Sequence, residues 1–125
     1  MIYEIIEEHR SDNLTPIIIT KGTRVKIGER SNNDGSSPNW IYCYSLDGHG
    51  EGWTPTQIIQ IESEYGIVVE DYSAIELGVK KGETVDGDIE INGWVWCSKL
   101  IRSEEGWLPK EKMIAIPNLN ELIKK

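Results

Sequence analysis

The sequence predicts an all-β protein built from two similar small domains. The stretch NWIYCYSLDGHGEGWTP, residues 39–55, returns in altered form as GWVWCSKLIRSEEGWLP, residues 93–109. Within each copy the apolar residues recur mostly at every second position, which is typical of half-buried strands. The chain has 125 residues, of which 38% are apolar, with five Trp and five Tyr, enough to fill two small cores.

The repeat also locates a loop. Aligning KGTRV, residues 21–25, with KGETV, residues 81–85, gives an offset of 60, whereas the repeated tryptophans are offset by 54. The first copy therefore carries six extra residues within ERSNNDGSSPN, residues 29–39. Ser, Asn, Asp, Gly and Pro dominate this stretch, which indicates an exposed connection between strands.

These limits set the expected domains. We expect one domain over residues 1–61 and a second over residues 62–116. Residues 117–125 are expected to form a short C-terminal helix, because Pro117 ends the strand pattern and Asn118 is a suitable N-cap. Only ESEY, residues 62–65, separates the two repeats, so the two domains are expected to touch.

Alternation assigns faces to the strands of the second copy. In its first long strand the expected core positions are Val85, Ile89 and Ile91, and the expected outward positions are Asp86, Asp88 and Glu90. In the next strand Val95 and Cys97 take the inward positions, as Ile41 and Cys43 do in the first copy. The two cysteines are therefore expected to be free, buried thiols in separate cores.

The outward positions of the same strands are aromatic. Trp96 and Trp107 are expected to be cross-strand neighbours on the outer face of the second copy, as are Tyr42 and Trp53 in the first. Each ring offers a large apolar surface. The pairs are therefore expected to be covered by the other domain, by the terminal helix or by a partner protein.

The second copy resembles an SH3 domain over residues 68–116. Its motifs are VVEDY in place of ALYDY, the turn ELGVKKGE, a tryptophan opening the third strand, GWLP, and a closing strand. The first copy resembles a divergent member of the same family. The resemblance implies two five-stranded, bent antiparallel SH3-like barrels in tandem. In this family a groove between aromatic residues binds Pro-rich peptides.

The resemblance also implies candidate groove residues. In the second copy Tyr72, Trp94 and Pro109 match the family's groove positions, while Glu70 and Lys112 stand where the family has tyrosines. The first copy keeps only the tryptophan and the proline; its five residues are Glu8, Arg10, Trp40, Pro55 and Ile58. Each of these residues either binds a ligand or merely completes the fold, and the sequence leaves both possibilities open.

Charge indicates the kind of partner. The net charge of -8 disfavours nucleic acid and anionic membranes, which attract basic surfaces. Glu70, Asp71 and Glu76 favour an Arg or Lys beside an apolar or proline-containing segment. The chain has no apolar run of about 18 residues and no signal peptide, so we expect a cytoplasmic protein without membrane contact.

The expected function is a non-catalytic, bacterial-type module that binds a protein or peptide through the second copy, as a monomer or weak dimer. No enzyme, metal or cofactor is expected, because His9 and His49 have no nucleophile or ligand cluster near them in sequence. One alternative is an acidic inhibitor that masks a basic site with Asp86, Asp88 and Glu90. Another is a cell-wall-binding module, since bacterial SH3-like repeats often serve there.

Overall fold

Strands dominate the computed structural model of the protein, which describes residues 1–31 and 38–117. Within these ranges the helical segments are two 3-10 helices, Thr56–Ile58 and Lys110–Lys112, and no helix is long and apolar enough to cross a membrane. The all-β prediction is confirmed, while the predicted C-terminal helix lies outside the described residues from position 118 onward. The strands are β1 (Ile2–Ile5), β2 (Ile18–Ile19), β3 (Arg24–Arg30), β4 (Trp40–Ser45), β5 (Glu51–Pro55), β6 (Ile59–Glu62), β7 (Tyr65–Val68), β8 (Tyr72–Ser73), β9 (Thr84–Ile91), β10 (Trp94–Lys99), β11 (Glu105–Pro109) and β12 (Met113–Ile116).

The chain forms two compact units, each with its own five-stranded antiparallel sheet. Unit 1 contains Met1–Ser11 and the chain from Glu76 onward, and its strand order is β11-β10-β9-β1-β12. Unit 2 contains Asp12–Ile75, and its strand order is β5-β4-β3-β7-β6. A short ladder between β2 and β8 completes unit 2.

The two units do not coincide with the two sequence repeats. Strand β1, which opens the first repeat, pairs with β9 and β12 of the second. Strand β7, which opens the second repeat, pairs with β3 and β6 of the first. The repeats thus exchange their first strands, and the chain passes between units after Ser11 and again after Ile75. The boundary expected after residue 61 lies between the two repeats. The boundaries between the compact units lie elsewhere in the sequence, after Ser11 between β1 and β2 and after Ile75 between β8 and β9.

Each unit has a separate hydrophobic core, as the two-core prediction requires. The core of unit 1 is Ile5, Leu77, Val79, Val85, Val95, Cys97, Leu108 and Met113. The core of unit 2 is Ile17, Ile19, Val25, Ile41, Cys43, Ile58, Ile59 and Val68. The predicted inward positions on β4 and β10 are confirmed, and both cysteines are free and buried.

The predicted alternation on β9 is wrong at Ile89, whose side chain is 55% exposed. Val95 on β10 is opposite Glu90, but Cys97, two positions on, is opposite Gly87, three positions back along β9. This β-bulge adds one residue to β9 after Gly87 and interrupts the alternation there, which leaves Ile89 exposed. Val85 therefore faces the core as predicted, and the acids Asp86, Asp88 and Glu90 are exposed as predicted.

Candidate functional site

The outer face of β4 and β5 in unit 2 carries a continuous row of aromatic side chains. In the cross-strand register Trp40 is opposite Pro55, Tyr42 is opposite Trp53, and Tyr44 is opposite Glu51. Because side chains alternate along a strand, these residues share the face away from the core. We call Trp40, Tyr42, Tyr44 and Trp53 the aromatic strip.

Edge-to-face packing holds the rings of the aromatic strip. The Tyr42 ring lies 5.3 Å from the Tyr44 ring at 64° and 5.3 Å from the Trp53 ring at 86°, measured between centroids. The predicted cross-strand pair of Tyr42 and Trp53 is confirmed. Trp53 is 41% exposed and Tyr44 is 40% exposed, so much of both rings faces solvent. The strip is a preformed apolar surface whose rings support one another.

Two residues border the aromatic strip, Gly28 of β3 and Glu51 of β5. The Tyr44 ring lies across Gly28 of β3, where a Cβ atom would come within 2.9 Å of Tyr44 Cε2. Burial raises the pKa of the Tyr42 phenol above its ordinary value, with smaller contributions from the Glu51 carboxylate and from Tyr44. The phenol is therefore neutral at physiological pH, and the Glu51 carboxylate places negative charge at one end of the strip.

Tyr72 belongs to unit 2 because of the strand exchange. Its hydroxyl donates a hydrogen bond of 3.4 Å to the carbonyl oxygen of Trp53, and its ring packs against the core of unit 2. The structure thus brings Tyr72 to the aromatic strip, whereas Trp94, its expected companion, belongs to unit 1.

Three of the other predicted site residues of unit 2 are partly buried, buried or hydrogen-bonded to the backbone. Trp40 is half-buried and Pro55 is buried at the far end of the strip. Glu70 and Asp71 are exposed, and Asp71 Oδ1 accepts a hydrogen bond of 2.8 Å from the backbone N–H of Lys21. That bond ties Asp71 to the turn before β3, so Glu70 is the less constrained carboxylate of the two.

The equivalent face of unit 1 is largely covered. Trp94 is opposite Pro109 and Trp96 is opposite Trp107, whose rings lie edge-on at 5.3 Å and 75°, so the predicted tryptophan pair is confirmed. Trp107 is only 8% exposed, so this aromatic pair is covered, as is expected of such a pair, and Pro109 is also buried. The N–H of Leu77 donates a 3.1 Å hydrogen bond to the Trp107 carbonyl. This bond brings the segment between β8 and β9 alongside Trp107.

In unit 2 the corresponding segment, which lies between β1 and β2, takes a different position. Asn13 Nδ2 donates to the Glu51 carbonyl at 3.0 Å, and the Glu51 N–H donates to the Thr15 carbonyl at 3.2 Å. The loop is therefore fastened beside Glu51, two positions before Trp53. The chain segments beside Trp53 and Trp107 thus differ in position, and the two tryptophans differ in exposure.

Unit 1 also contains a buried histidine that the sequence pattern does not indicate as a site residue. His9 is 8% exposed, with Nε2 2.6 Å from Glu76 Oε1 and Nδ1 3.1 Å from Lys112 Nζ. Its ring lies edge-on to Trp94, with centroids 5.6 Å apart. The Lys112 ammonium can only donate, so Nδ1 accepts and Nε2–H donates to Glu76 in the tautomer that satisfies both contacts.

Strand pairing shows why the sequence missed His9. His9 is opposite Val79 in unit 1, as Tyr72 is opposite Ile19 in unit 2, so His9 is the structural counterpart of Tyr72. The repeat alignment predicts Arg10 at that position, which is one residue too far along. The acidic pairs of EEHR, residues 7–10, and EDYS, residues 70–73, match in the correct register.

The remaining charged features of unit 1 are partly neutralised within the protein. On β9, Glu90 pairs with Lys110 at 2.9 Å and Asp86 with the Met1 amino group at 3.2 Å. Lys99 Nζ lies 3.1 Å from a Glu104 oxygen and 3.7 Å from a Glu83 oxygen.

Unit 1 also has an open cavity of about 720 Å³. It is lined by Glu8, His9, Arg10, Gly78, Val79, Lys80, Gly82, Glu83, Thr84, Lys99, Leu100, Ile101 and Arg102.

Neither a metal site among the described residues nor a known relative assigns a role to these surfaces. Within residues 1–31 and 38–117, no group of three or more His, Cys, Asp or Glu side chains is placed to hold a metal ion. Comparison of the chain with protein-family models, curated proteins and solved structures finds no match in any of the three. The aromatic strip is the surface that best suits recognition of another molecule.

Proposed function

We propose that the chain is a non-catalytic module of two SH3-like units, which binds a protein segment through the aromatic strip of unit 2. The observation that carries the proposal is the exposure of Trp53 and Tyr44, 41% and 40%, within a set of rings that are already packed together. Clustered aromatic side chains are enriched where proteins bind one another. A rigid strip also binds at a low cost in side-chain entropy.

The SH3-like assignment is supported by features that both units share. Each unit has five antiparallel strands, a long loop after the exchanged first strand, and a tryptophan that opens one strand opposite a proline on the next. The exchange of first strands departs from a simple tandem of barrels. It places Tyr72 beside Trp53 in unit 2, and His9 beside Trp94 in unit 1.

Charge favours a cationic partner segment. Unit 2 contains nine acidic and four basic residues, which gives it a formal charge of -5. Within the same unit the Arg24 guanidinium lies 4.6 Å from the centre of the Tyr65 ring, an example of the contact that a partner's Arg would make with Trp53. We therefore expect an extended segment with an Arg or Lys beside an apolar or proline residue, met in the cytoplasm.

The test is a peptide screen followed by matched substitutions. Peptides with Pro or apolar residues beside Arg should bind the full chain, and the same peptides with Glu in place of Arg should not. Trp53→Ala and Tyr44→Ala should each weaken binding at least about 10-fold, as expected for aromatic residues at the centre of an interface. Ile101→Ala, which truncates an even more exposed apolar side chain in unit 1, should leave the affinity unchanged. Binding that survives both strip substitutions would contradict the proposal.

The acidic inhibitor is the second candidate, favoured by the exposure of Asp86, Asp88 and Glu90 together on β9. The ion pairs of Asp86 and Glu90 reduce the charge that this face offers to a partner. The two candidates differ in which substitutions matter. Asp86→Lys combined with Asp88→Lys should abolish binding by an inhibitor of this kind, and Trp53→Ala should then have no effect.

A further inference from the structure

Unit 1 is completed by a strand from the other end of its own chain. Strand β1 lies between β9 and β12 and is hydrogen-bonded to both, and its Ile5 side chain is part of the unit 1 core. Segment 1–11 belongs to unit 1, and the chain enters unit 2 at Asp12. Unit 2 is continuous in sequence and has its own core. The slot between β9 and β12 is therefore a strand-binding site that one short segment fills.

Side-chain size makes this slot specific for β1. The Tyr3 ring lies over Gly87, where a Cβ atom would come within 2.5 Å of Tyr3 Cε2. At the equivalent place in unit 2 the sizes are reversed, because Gly66 of β7 faces Ile27, whose Cδ1 would lie 3.2 Å from a Cβ at position 66. In the place of β7, the Tyr3 ring would overlap Ile27. Tyr3 therefore fits unit 1 and not unit 2.

We propose that the slot between β9 and β12 also accepts β1 of a second copy, so that two chains exchange their N-terminal segments and form a dimer. The contacts of β1 within unit 1 are the same whichever chain supplies the strand. The chain would pass between the two copies near Ser11 and Asp12, where it leaves unit 1, and exchange of an identical element is a low-cost route to a dimer. The balance between monomer and dimer is then set by the effective concentration of the tethered strand, on the order of 1 mM.

A disulfide trap tests the exchange in the full chain. One chain carries Glu4→Cys and a first affinity tag, and the other carries Ile114→Cys and a second tag. Glu4 and Ile114 are opposite each other in the ladder between β1 and β12, and both are exposed. The native cysteines are buried. After refolding together at about 1 mM and oxidation, a covalent dimer with both tags should form, joined at positions 4 and 114, and its fraction should rise with protein concentration.

The matched control pairs Glu4→Cys with Gln60→Cys. Gln60 is exposed on β6 and occupies in unit 2 the place that Ile114 occupies in unit 1, so this mixture should show only background cross-linking. Adding Tyr3→Gly to the Glu4→Cys chain should reduce the specific dimer at least about 10-fold, because the Tyr3 ring is what distinguishes the slots. Equal cross-linking to Ile114→Cys and Gln60→Cys would overturn the proposal. So would unmodified protein that, refolded at the same concentration, shows only monomer by light scattering.

Discussion

His9 Nε2 lies 2.6 Å from Glu76 Oε1, and this contact joins the two chain segments that make up unit 1. The other ring nitrogen faces the Lys112 ammonium, and the ring edge packs on Trp94. A polar side chain that is largely removed from water needs such partners. The contact therefore helps to hold the N-terminal segment on unit 1.

Glu76→Ala should destabilise unit 1 by about 1–3 kcal/mol, because it leaves Nε2–H of a buried histidine without its acceptor. Glu76→Gln should cost less, since the amide oxygen can still accept that hydrogen bond. Urea unfolding followed by circular dichroism measures both. In the double variant with His9→Phe the cost of Glu76→Ala should largely disappear. The role assigned to the contact would be contradicted by equal costs of Glu76→Ala in the two backgrounds.

Trp107→Ala and Trp53→Ala should differ in their effect on stability, although the two tryptophans occupy equivalent repeat positions. Trp107 is 8% exposed, so its removal should cost about 3–5 kcal/mol, as for other buried aromatic residues. Trp53 is 41% exposed and should cost clearly less than half as much. Denaturant unfolding of the two variants checks the difference. Similar losses would mean that the loop beside Trp107 does not bury it in solution.

Gly50→Ala should destabilise unit 2 far more than Gly48→Ala, although both glycines have a positive φ, +88° and +83°. Either alanine is strained by about 1 kcal/mol in this conformation. A Cβ at position 50 would also lie 2.6 Å from the carbonyl oxygens of Thr15 and Pro16, while a Cβ at position 48 meets nothing within 4 Å. We expect an additional loss of at least about 1–3 kcal/mol for Gly50→Ala, measured by thermal or urea unfolding. Equal losses would show that the loop moves away freely.

Alkaline pH should weaken unit 1 through Cys97. Burial, with a smaller contribution from Asp86, raises the pKa of this thiol from 9.0 to about 11. Between these values the folded state holds the proton more tightly than the unfolded state, so the stability is fully present below pH 9 and falls as the pH rises through 11. Unfolding midpoints at pH 8, 9.5 and 10.5 should fall more steeply for the unmodified chain than for Cys97→Ala. Parallel declines would mean that Cys97 does not cause the loss.

The thiols of Cys43 and Cys97 should also resist modification in the folded protein. Burial raises the pKa of both thiols, and the reactive form is the thiolate. At pH 8 a water-soluble disulfide reagent should label neither cysteine until urea is added, after which both should react. Rapid labelling of either thiol in the absence of urea would show that its core opens readily.

Local pattern predicted much of this architecture. The cross-strand pairs of Trp96 with Trp107 and of Tyr42 with Trp53 followed from alternation and from the spacing of the repeat, and the structure confirms both. The bulge that turns Ile89 outward was not predictable, because one added residue leaves no mark in the apolar pattern. Trp107 also accepts a backbone hydrogen bond from Leu77, thirty positions away along the chain, and a contact of this range is not written in the local pattern.

The candidate site was predicted less well than the strands. Tyr72, Trp40 and Pro55 came from the family resemblance, but the resemblance joined Tyr72 with Trp94, and the structure joins it with Trp53. His9 was set aside because a lone histidine in sequence shows neither Glu76 nor Lys112 beside it. Alternation predicts that the rings of the aromatic strip lie on the outer face, but it does not predict which of the two aromatic pairs stays uncovered.

The order of residues was enough to predict two similar all-β halves, two cores with a free cysteine in each, and aromatic rings on the outer faces. These features depend on alternation within single strands, which is visible in neighbouring residues. Which first strand completes which sheet could be seen only after the chain had folded. Strand β1 and strand β7 have similar patterns and each can pair with either repeat in principle. The choice is made by long-range packing, where the Tyr3 ring needs the space above Gly87 and Gly66 leaves space for Ile27.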